Sequence, residues 1–292
     1  MAKPTPLDRS FQEGVDKLIV ALTNLVDRSF PSTKQKIPGW QEFLLVLMHV
    51  CKANYGAIKY LAADSDKDPD RKLEYGMSIS PLNRVLADLL FTLIFMRDRP
   101  GVRCTWYHKS GWRELQEALE RIREIRGGRP EWETAIKKQE WKQDYLTRTF
   151  RITSKERRNP KLIDYWPAPH QILKQKNIAK RTKLFLQNFY NWFYKDLSQD
   201  AHGSGGGITR IYSKLLLEKD QGREAVLKQL KYNNFLTATA LALSVAAEVN
   251  DIGNFDRGER LRYFWNILST EFPDGKVLFE ARYKNLLKRR PI

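Results

Sequence analysis

The chain has 292 residues, of which 42% are hydrophobic and 29% charged. That composition excludes low-hydrophobicity disorder and supplies enough apolar material for a sizeable core. With 51 Lys and Arg against 34 Asp and Glu, the net charge of +17 favours nucleic acid, an anionic membrane surface or an acidic partner. Cys51 and Cys104 are too few for a disulfide scaffold and lack paired metal-ligand spacing. The opening residues show no apolar run followed by a small-residue cleavage site, so a cytoplasmic protein is expected.

Helical periodicity begins at Phe11 to Val26, where Val15, Leu18, Ile19, Leu22 and Leu25 form one stripe that Pro31 ends. A second helix is expected from Trp40 to Leu61, its stripe interrupted by Asn54, before the polar turn from Asp64 to Asp70. Ser80-Pro81 reads as the start of a central helix, with Leu82, Val85, Leu86, Leu89, Leu90, Leu93, Ile94 and Phe95 covering most of its circumference. After Arg99-Pro100-Gly101, two charged peripheral helices are expected at Trp112 to Arg126 and Trp132 to Thr147. Residues 151–177 contain Pro160, Pro167 and Pro169 and read as a long basic loop. An aromatic helix from Ile178 to Asp200, with core positions Leu186, Phe189, Phe193 and Leu197, ends at the glycine run Gly203 to Gly207.

Four further helices are expected: near Ile208 to Leu217, from Glu224 to Val249, from Arg257 to Phe272 and from Lys276 to Lys288. Small residues between Thr237 and Ala247 allow close helix approach. The apolar stretches Val85 to Met96 and Phe235 to Val249 are shorter than the ~20 residues of a membrane span and carry Asp88 and Glu248, so they read as core helices. Strand alternation and internal repeats are missing. The expected fold is a single all-α domain, a multi-helix up-and-down bundle with peripheral helices.

Arg84 and Asp88 are four apart on an otherwise aliphatic helix, where unpaired charge is expensive. They read either as a structural ion pair or as a polar site, with Asp88 orienting Arg84 and Arg84 offering its donors to phosphate or carboxylate. Tyr194, Ser198 and His202 recur at four-residue intervals on a flank beside the core stripe. His202 suits proton transfer near neutral pH, or simply an exposed helix end. Gly203 to Gly207 follows a helix and lacks the Gly-Lys-Ser/Thr ending of a phosphate loop, so a helix stop is the preferred reading. His49, Cys51 and His170 do not make a metal site, and neither a cofactor nor a nucleophilic triad is expected.

The segment Ser80-Pro-Leu-Asn-Arg84-Val-Leu-Ala-Asp88, with Tyr194-Lys-Asp-Leu-Ser198-Gln-Asp-Ala-His202, resembles a branch of HEPN-like helical proteins. The branch pairs an Arg-x-x-x-acid helix with a later Tyr-x-x-Leu-Ser-x-x-x-His segment, and the resemblance covers Ser80 to Arg210. Members of the wider group include metal-independent ribonucleases, often dimeric, of toxin-antitoxin and phage-defence systems. The resemblance therefore implies a HEPN-like core, with Arg84, Asp88, Tyr194, Ser198 and His202 as catalytic residues. The group's usual signature is Arg, four to six residues, then His. Here it occurs only as Arg103 to His108, in a segment that reads as a loop, and it is taken as a coincidence.

Basic residues crowd the chain at Arg121 to Arg126, 151–161, 174–183 and 288–290. Arg151, Lys155, Arg157, Arg158, Lys161, Lys174, Lys176 and Arg181 are the candidate contacts to nucleic acid. Interspersed Trp132, Trp141, Tyr145, Phe150, Tyr165 and Trp166 add stacking surface suited to RNA or single-stranded DNA, unless they turn to the core and leave only a solvated basic face. These features support two function classes. One is a HEPN-like RNA-acting protein, for which the resemblance implies endoribonuclease activity; the other is a non-catalytic helical module binding nucleic acid or a partner protein. Homodimerisation is compatible with either.

Overall fold

In the computed structural model, the described residues are 9–29, 40–64, 72–201, 209 and 223–287. They form an all-α multi-helix bundle, with no strand among them. The helices are α1 (Arg9–Ser29), α2 (Trp40–Asp64), α3 (Lys72–Asp98), α4 (Pro100–Arg126), α5 (Pro130–Thr149), α6 (Ser154–Arg158), α7 (Pro169–Ile172), α8 (Lys180–Phe189), α9 (Lys195–Ala201), α10 (Arg223–Gly253), α11 (Gly258–Glu271) and α12 (Pro273–Ala281). The expected helix at Ile208 to Leu217, the glycine run, His202 and the basic triplet 288–290 lie outside the described residues. The chain divides into two compact units, residues 1–34, 44–98 and 173–292 in the first and 35–43 and 99–172 in the second.

The first unit is organised around α3 and α10, which pack together along much of their length. Residues 238–250 of α10 are buried on every side, and the small side chains Ala238, Ala240, Ala242, Ser244 and Ala246 permit that close approach. Thr239 and Ser244 satisfy their hydroxyls on carbonyls one turn back, at 3.0 and 2.8 Å, so no polar group is stranded there. Against α10 and α11 lies α1, burying Phe11, Val15, Leu18, Ile19, Leu22 and Val26. A Cβ on Gly14 would lie 2.7 Å from the Phe264 ring of α11, so glycine there sets the approach. Asn54, the break in the α2 stripe, donates to the Val50 carbonyl at 2.8 Å and stays within the helix.

Three boundaries differ from expectation. Helix α3 starts at Lys72, and Pro81 sits inside it, removing one backbone donor without ending the helix. With α10 it is long and apolar enough, over 78–98 and 232–253, to cross a membrane by length and composition, although most of each stretch is buried within the protein. Helix α4 starts at Pro100, not Trp112, because the proline occupies the first turn, where its missing N–H costs nothing. The aromatic helix is interrupted by a π-helical turn at Tyr190–Tyr194.

The second unit is an α4/α5 hairpin with the succeeding coil folded against it. Gly128 turns the hairpin at φ +79°, a conformation only glycine adopts freely. Trp112, fully buried, donates its indole N–H to Thr147 Oγ1 at 2.8 Å, while Gln143 Nε2 donates to the Trp112 carbonyl at 2.9 Å. The basic segment is more regular than a loop, containing α6, a 3₁₀ turn at Pro160–Leu162 and α7.

Candidate functional site

Arg84 and Asp88 do meet, and Tyr194 joins them. Arg84 Nε donates to Asp88 Oδ2 at 3.0 Å. The Tyr194 hydroxyl donates to Asp88 Oδ1 at 2.5 Å and accepts from Arg84 Nη2. The guanidinium carbon also lies 3.7 Å from the centroid of the Tyr194 ring, so the cation is held by charge, hydrogen bond and π-face together. The Arg84 side chain is 15% exposed and that of Asp88 45%, so this is a partly open pair and not one sealed in the core.

Arg84 retains a buried Nη1 with no partner among the described residues. Asn83, fully buried beside it on α3, donates to the Asn234 carbonyl at 2.9 Å but leaves its Oδ1 unpaired among them, and Ser80 Oγ one turn earlier is unpaired as well. A buried unsatisfied polar atom costs about 1–3 kcal/mol. Three in adjacent positions of one helix face form a polar lining that packing alone does not require.

The π-helical turn explains why Tyr194 reaches this site. Five-residue hydrogen bonding inserts extra chain into the helix and rotates α9 relative to an unbroken α-helix. The expected stripe of Leu186, Phe189, Phe193 and Leu197 is buried, but Tyr194, expected on its flank, is buried too, packing against Phe91 at 5.5 Å. Ser198 is half-buried one turn further along α9. His202 comes after Ala201 in sequence and lies outside the described residues.

The Arg103/His108 string is helical, in α4, and not in the loop expected from Pro100-Gly101. Arg103 is buried. His108 stacks on Phe150 at 4.5 Å with rings 5° from parallel, and its Nδ1 lies 3.8 Å from Cys104 Sγ. Burial lowers the His108 pKa despite the opposing charge of Glu42. Burial likewise pushes the Cys104 thiol up to about 12, so this Cys/His pair lacks an accessible thiolate. Five residues along an α-helix rotate Arg103 and His108 apart by roughly 140°, whereas Cys104 shares the histidine's face.

All eight candidate nucleic-acid contacts are exposed; Arg151, Lys155, Arg157, Arg158 and Lys161 belong to the second unit, and Lys174, Lys176 and Arg181 to the first. A capping box fixes α6, with Glu156 N–H donating to Thr153 Oγ1 at 3.2 Å and Thr153 N–H donating to Glu156 Oε2 at 2.7 Å. Glu156 also accepts from Lys109 at 2.6 Å, and Arg157 pairs with Asp144 at 2.6 Å. Arg151 occupies a left-handed conformation at φ +53° after α5, where a glycine would cost less. Of the interspersed aromatics, Phe150 stacks on His108, Trp166 packs against Trp106 and Tyr107, and Trp132 and Tyr165 lie beneath Arg126 and Arg113. Trp141 and Tyr145 stand exposed.

A second charged cluster in the first unit escapes sequence reasoning. Glu248 of α10 is fully buried and accepts from Arg282 Nε at 2.5 Å and from Arg97 of α3; Arg282 also bonds Asp251 and, at 3.2 Å, the Ala247 carbonyl. Burial alone would push the Glu248 carboxyl up, but Arg282 and Arg97 more than reverse this and hold it below its usual range. Burial disfavours the Arg282 cation, yet Glu248 and Asp251 raise its pKa further. The lone acid in an apolar run is the available signal, because a buried carboxylate demands a cation.

Residues 72–222 match a family of unknown function, DUF5677. This segment holds Arg84, Asp88, Tyr194, Ser198 and His202, whereas Glu248, Asp251 and Arg282 lie beyond it. No curated protein and no solved structure matches the chain. Since the match takes in more than half of its residues, the chain belongs to the DUF5677 family.

Proposed function

We propose that this protein is a HEPN-like RNA-acting protein, a metal-independent endoribonuclease of a defence or toxin system working in the cytoplasm. The observation that supports this reading is the buried Nη1 of Arg84, unpartnered among the described residues, in a guanidinium whose other groups are fixed by Asp88 and Tyr194. Such a group is preorganised to meet an anion without reorganising at the moment of reaction. In the proposed step a ribose 2′-hydroxyl attacks the adjacent phosphorus. His202 takes or returns the proton, Arg84 stabilises the negatively charged phosphorane, and the 5′-oxygen leaves to give a cyclic phosphate. Ser198, half-buried on α9 one turn after Tyr194, and His202, four residues further along the sequence, complete the proposed catalytic set.

The test is cleavage of RNA in excess chelator by wild type, His202→Ala and His108→Ala. His202→Ala should lower the rate by about 10² to 10⁴ while RNA affinity and folding are kept, since general acid-base catalysis contributes on that scale. Inactivation by His108→Ala instead would move the centre to α4. A binding module is the second reading, favoured by the mutual bonding of Arg84, Asp88 and Tyr194, which also serves to clamp α3 to the π-helical turn. Wild-type protein that binds RNA without cutting it would establish that reading.

A further inference from the structure

Helix α5 carries two large aromatic rings on its outer face. Its inner face puts Gln143 into the hairpin and bonds Thr147 to Trp112, while Trp141 and Tyr145 stand outward at 66% and 54% exposure. The two rings lie 6.3 Å apart, 20° from parallel. Burying a large aromatic side chain is favourable, so folding by itself does not account for two rings left in solvent.

The charges around the rings say what the face suits. Between Glu133 and Asp144 every carboxylate is matched: Glu133 by Lys137 at 2.6 Å, Glu140 by Arg123 at 2.5 Å, and Asp144 by Arg157 at 2.6 Å. Lys138 and Lys142 flank Trp141 and have no acidic partner among the described residues, and Arg148, one turn beyond Tyr145, bonds a carbonyl at 3.4 Å. From Lys138 to Arg148 the face runs about 15 Å at the helical rise. It then continues into exposed Arg151 and Lys155. A protein-binding core is depleted in lysine, whereas alternating rings and uncompensated cations complement the bases and phosphates of a single strand.

We infer that the outer face of α5 is a stacking platform for single-stranded RNA, with bases on Trp141 and Tyr145 and phosphates on Lys138, Lys142 and Arg148. This rests on the RNA-acting reading and supplies its substrate class: unpaired RNA, since a duplex hides the base faces that the rings would engage.

Fluorescence anisotropy with a labelled short oligouridine, and with a duplex RNA hairpin as comparison, tests it. Trp141→Ala/Tyr145→Ala should weaken oligouridine binding by about 10-fold or more with an unchanged salt slope, as expected when stacking is lost and phosphate contacts stay. Trp141→Phe/Tyr145→Phe should retain most of the affinity. Lys138→Ala/Lys142→Ala should flatten the dependence of log Kd on log salt by about 1 to 2. Equal binding by wild type and the alanine pair overturns the platform alone, as does an equal loss on the duplex hairpin. Conversion of a dimer to a monomer by the alanine pair, seen by light scattering with RNA affinity intact, overturns it too and makes the face a self-association surface. Wild-type protein that fails to bind oligouridine at low salt removes both the platform and the RNA-acting reading.

Discussion

Two arginines of the first unit sit beside π-helical turns, and their surroundings differ in one respect. Arg282 opens the turn Arg282–Leu287 and spends its donors on Glu248, Asp251 and the Ala247 carbonyl in a nearly closed setting. Arg84 faces the last residue of the turn Tyr190–Tyr194, shares a half-exposed carboxylate and keeps Nη1 unpaired among the described residues. The residue types are alike, so chemistry alone does not separate a structural cluster from a functional one. Their bonding differs: Arg282 meets two carboxylates and a carbonyl, whereas Arg84 meets one carboxylate and a hydroxyl and leaves its buried Nη1 unpaired among the described residues.

The largest effect should come from the closed cluster. Arg282→Met strands Glu248 without a partner at one oxygen and should cost about 3–5 kcal/mol of unfolding free energy in denaturant titration, the usual scale for breaking a buried pair. A loss below about 1 kcal/mol would show that the cluster is not holding α10 to the C-terminal turn, and the contrast with Arg84 would fall.

The next effect is a pH dependence. The Glu248 carboxyl in the folded protein titrates below its ordinary 4.5, so the unfolded chain takes up this proton first as acid is added. Its contribution is therefore complete above about pH 4.5 and is lost as pH falls through the lower folded value. Glu248→Gln should be less stable than wild type at neutral pH, and the difference should shrink on acidification below that range. A constant difference across the acid limb would contradict the charge-based account.

Asp88→Ala should show the smallest stability change, about 1–2 kcal/mol, because a half-exposed carboxylate is removed while Tyr194 still holds Arg84. If the protein cleaves RNA as proposed, the effect on cleavage should exceed the effect on stability, since a guanidinium held by Tyr194 alone meets the phosphate in a less fixed geometry. Loss of stability without any change in activity would put Arg84 in the same class as Arg282.

The half of the site on α3 is legible in the sequence because two charges in a run of leucines and valines are conspicuous at helical spacing. The burial of Tyr194 is not: no glycine or proline between Tyr190 and Tyr194 announces a departure from 3.6 residues per turn. The Glu248 cluster is legible only as a lone acid, since Arg97 lies 151 residues and Arg282 34 residues away in sequence, and periodicity carries no information at that range. The start of α4 is easily misplaced because Pro100-Gly101 signals a turn and a first helical turn equally well. Helical content, by contrast, is plain throughout, because apolar spacing is a local property that tertiary contacts reinforce.

The wide turn at Tyr190–Tyr194 makes the first unit sensitive to a count of residues as well as to their kinds. Each residue advances an α-helix by about 100°, and the wider turn takes up about one residue more than α-helical bonding would, so removing one there lets it close to an α-helix with the faces of its two halves still in agreement. One residue added there would exceed what the turn absorbs: Phe185 and Leu186 would keep their seats, while Leu197 and Ser198 would swing to a different azimuth and Tyr194 would leave Asp88. Substitutions that preserve the number of residues can be absorbed here by repacking, whereas a single insertion would dismantle the pairing of α3 with α9 without touching any residue that bonds Arg84.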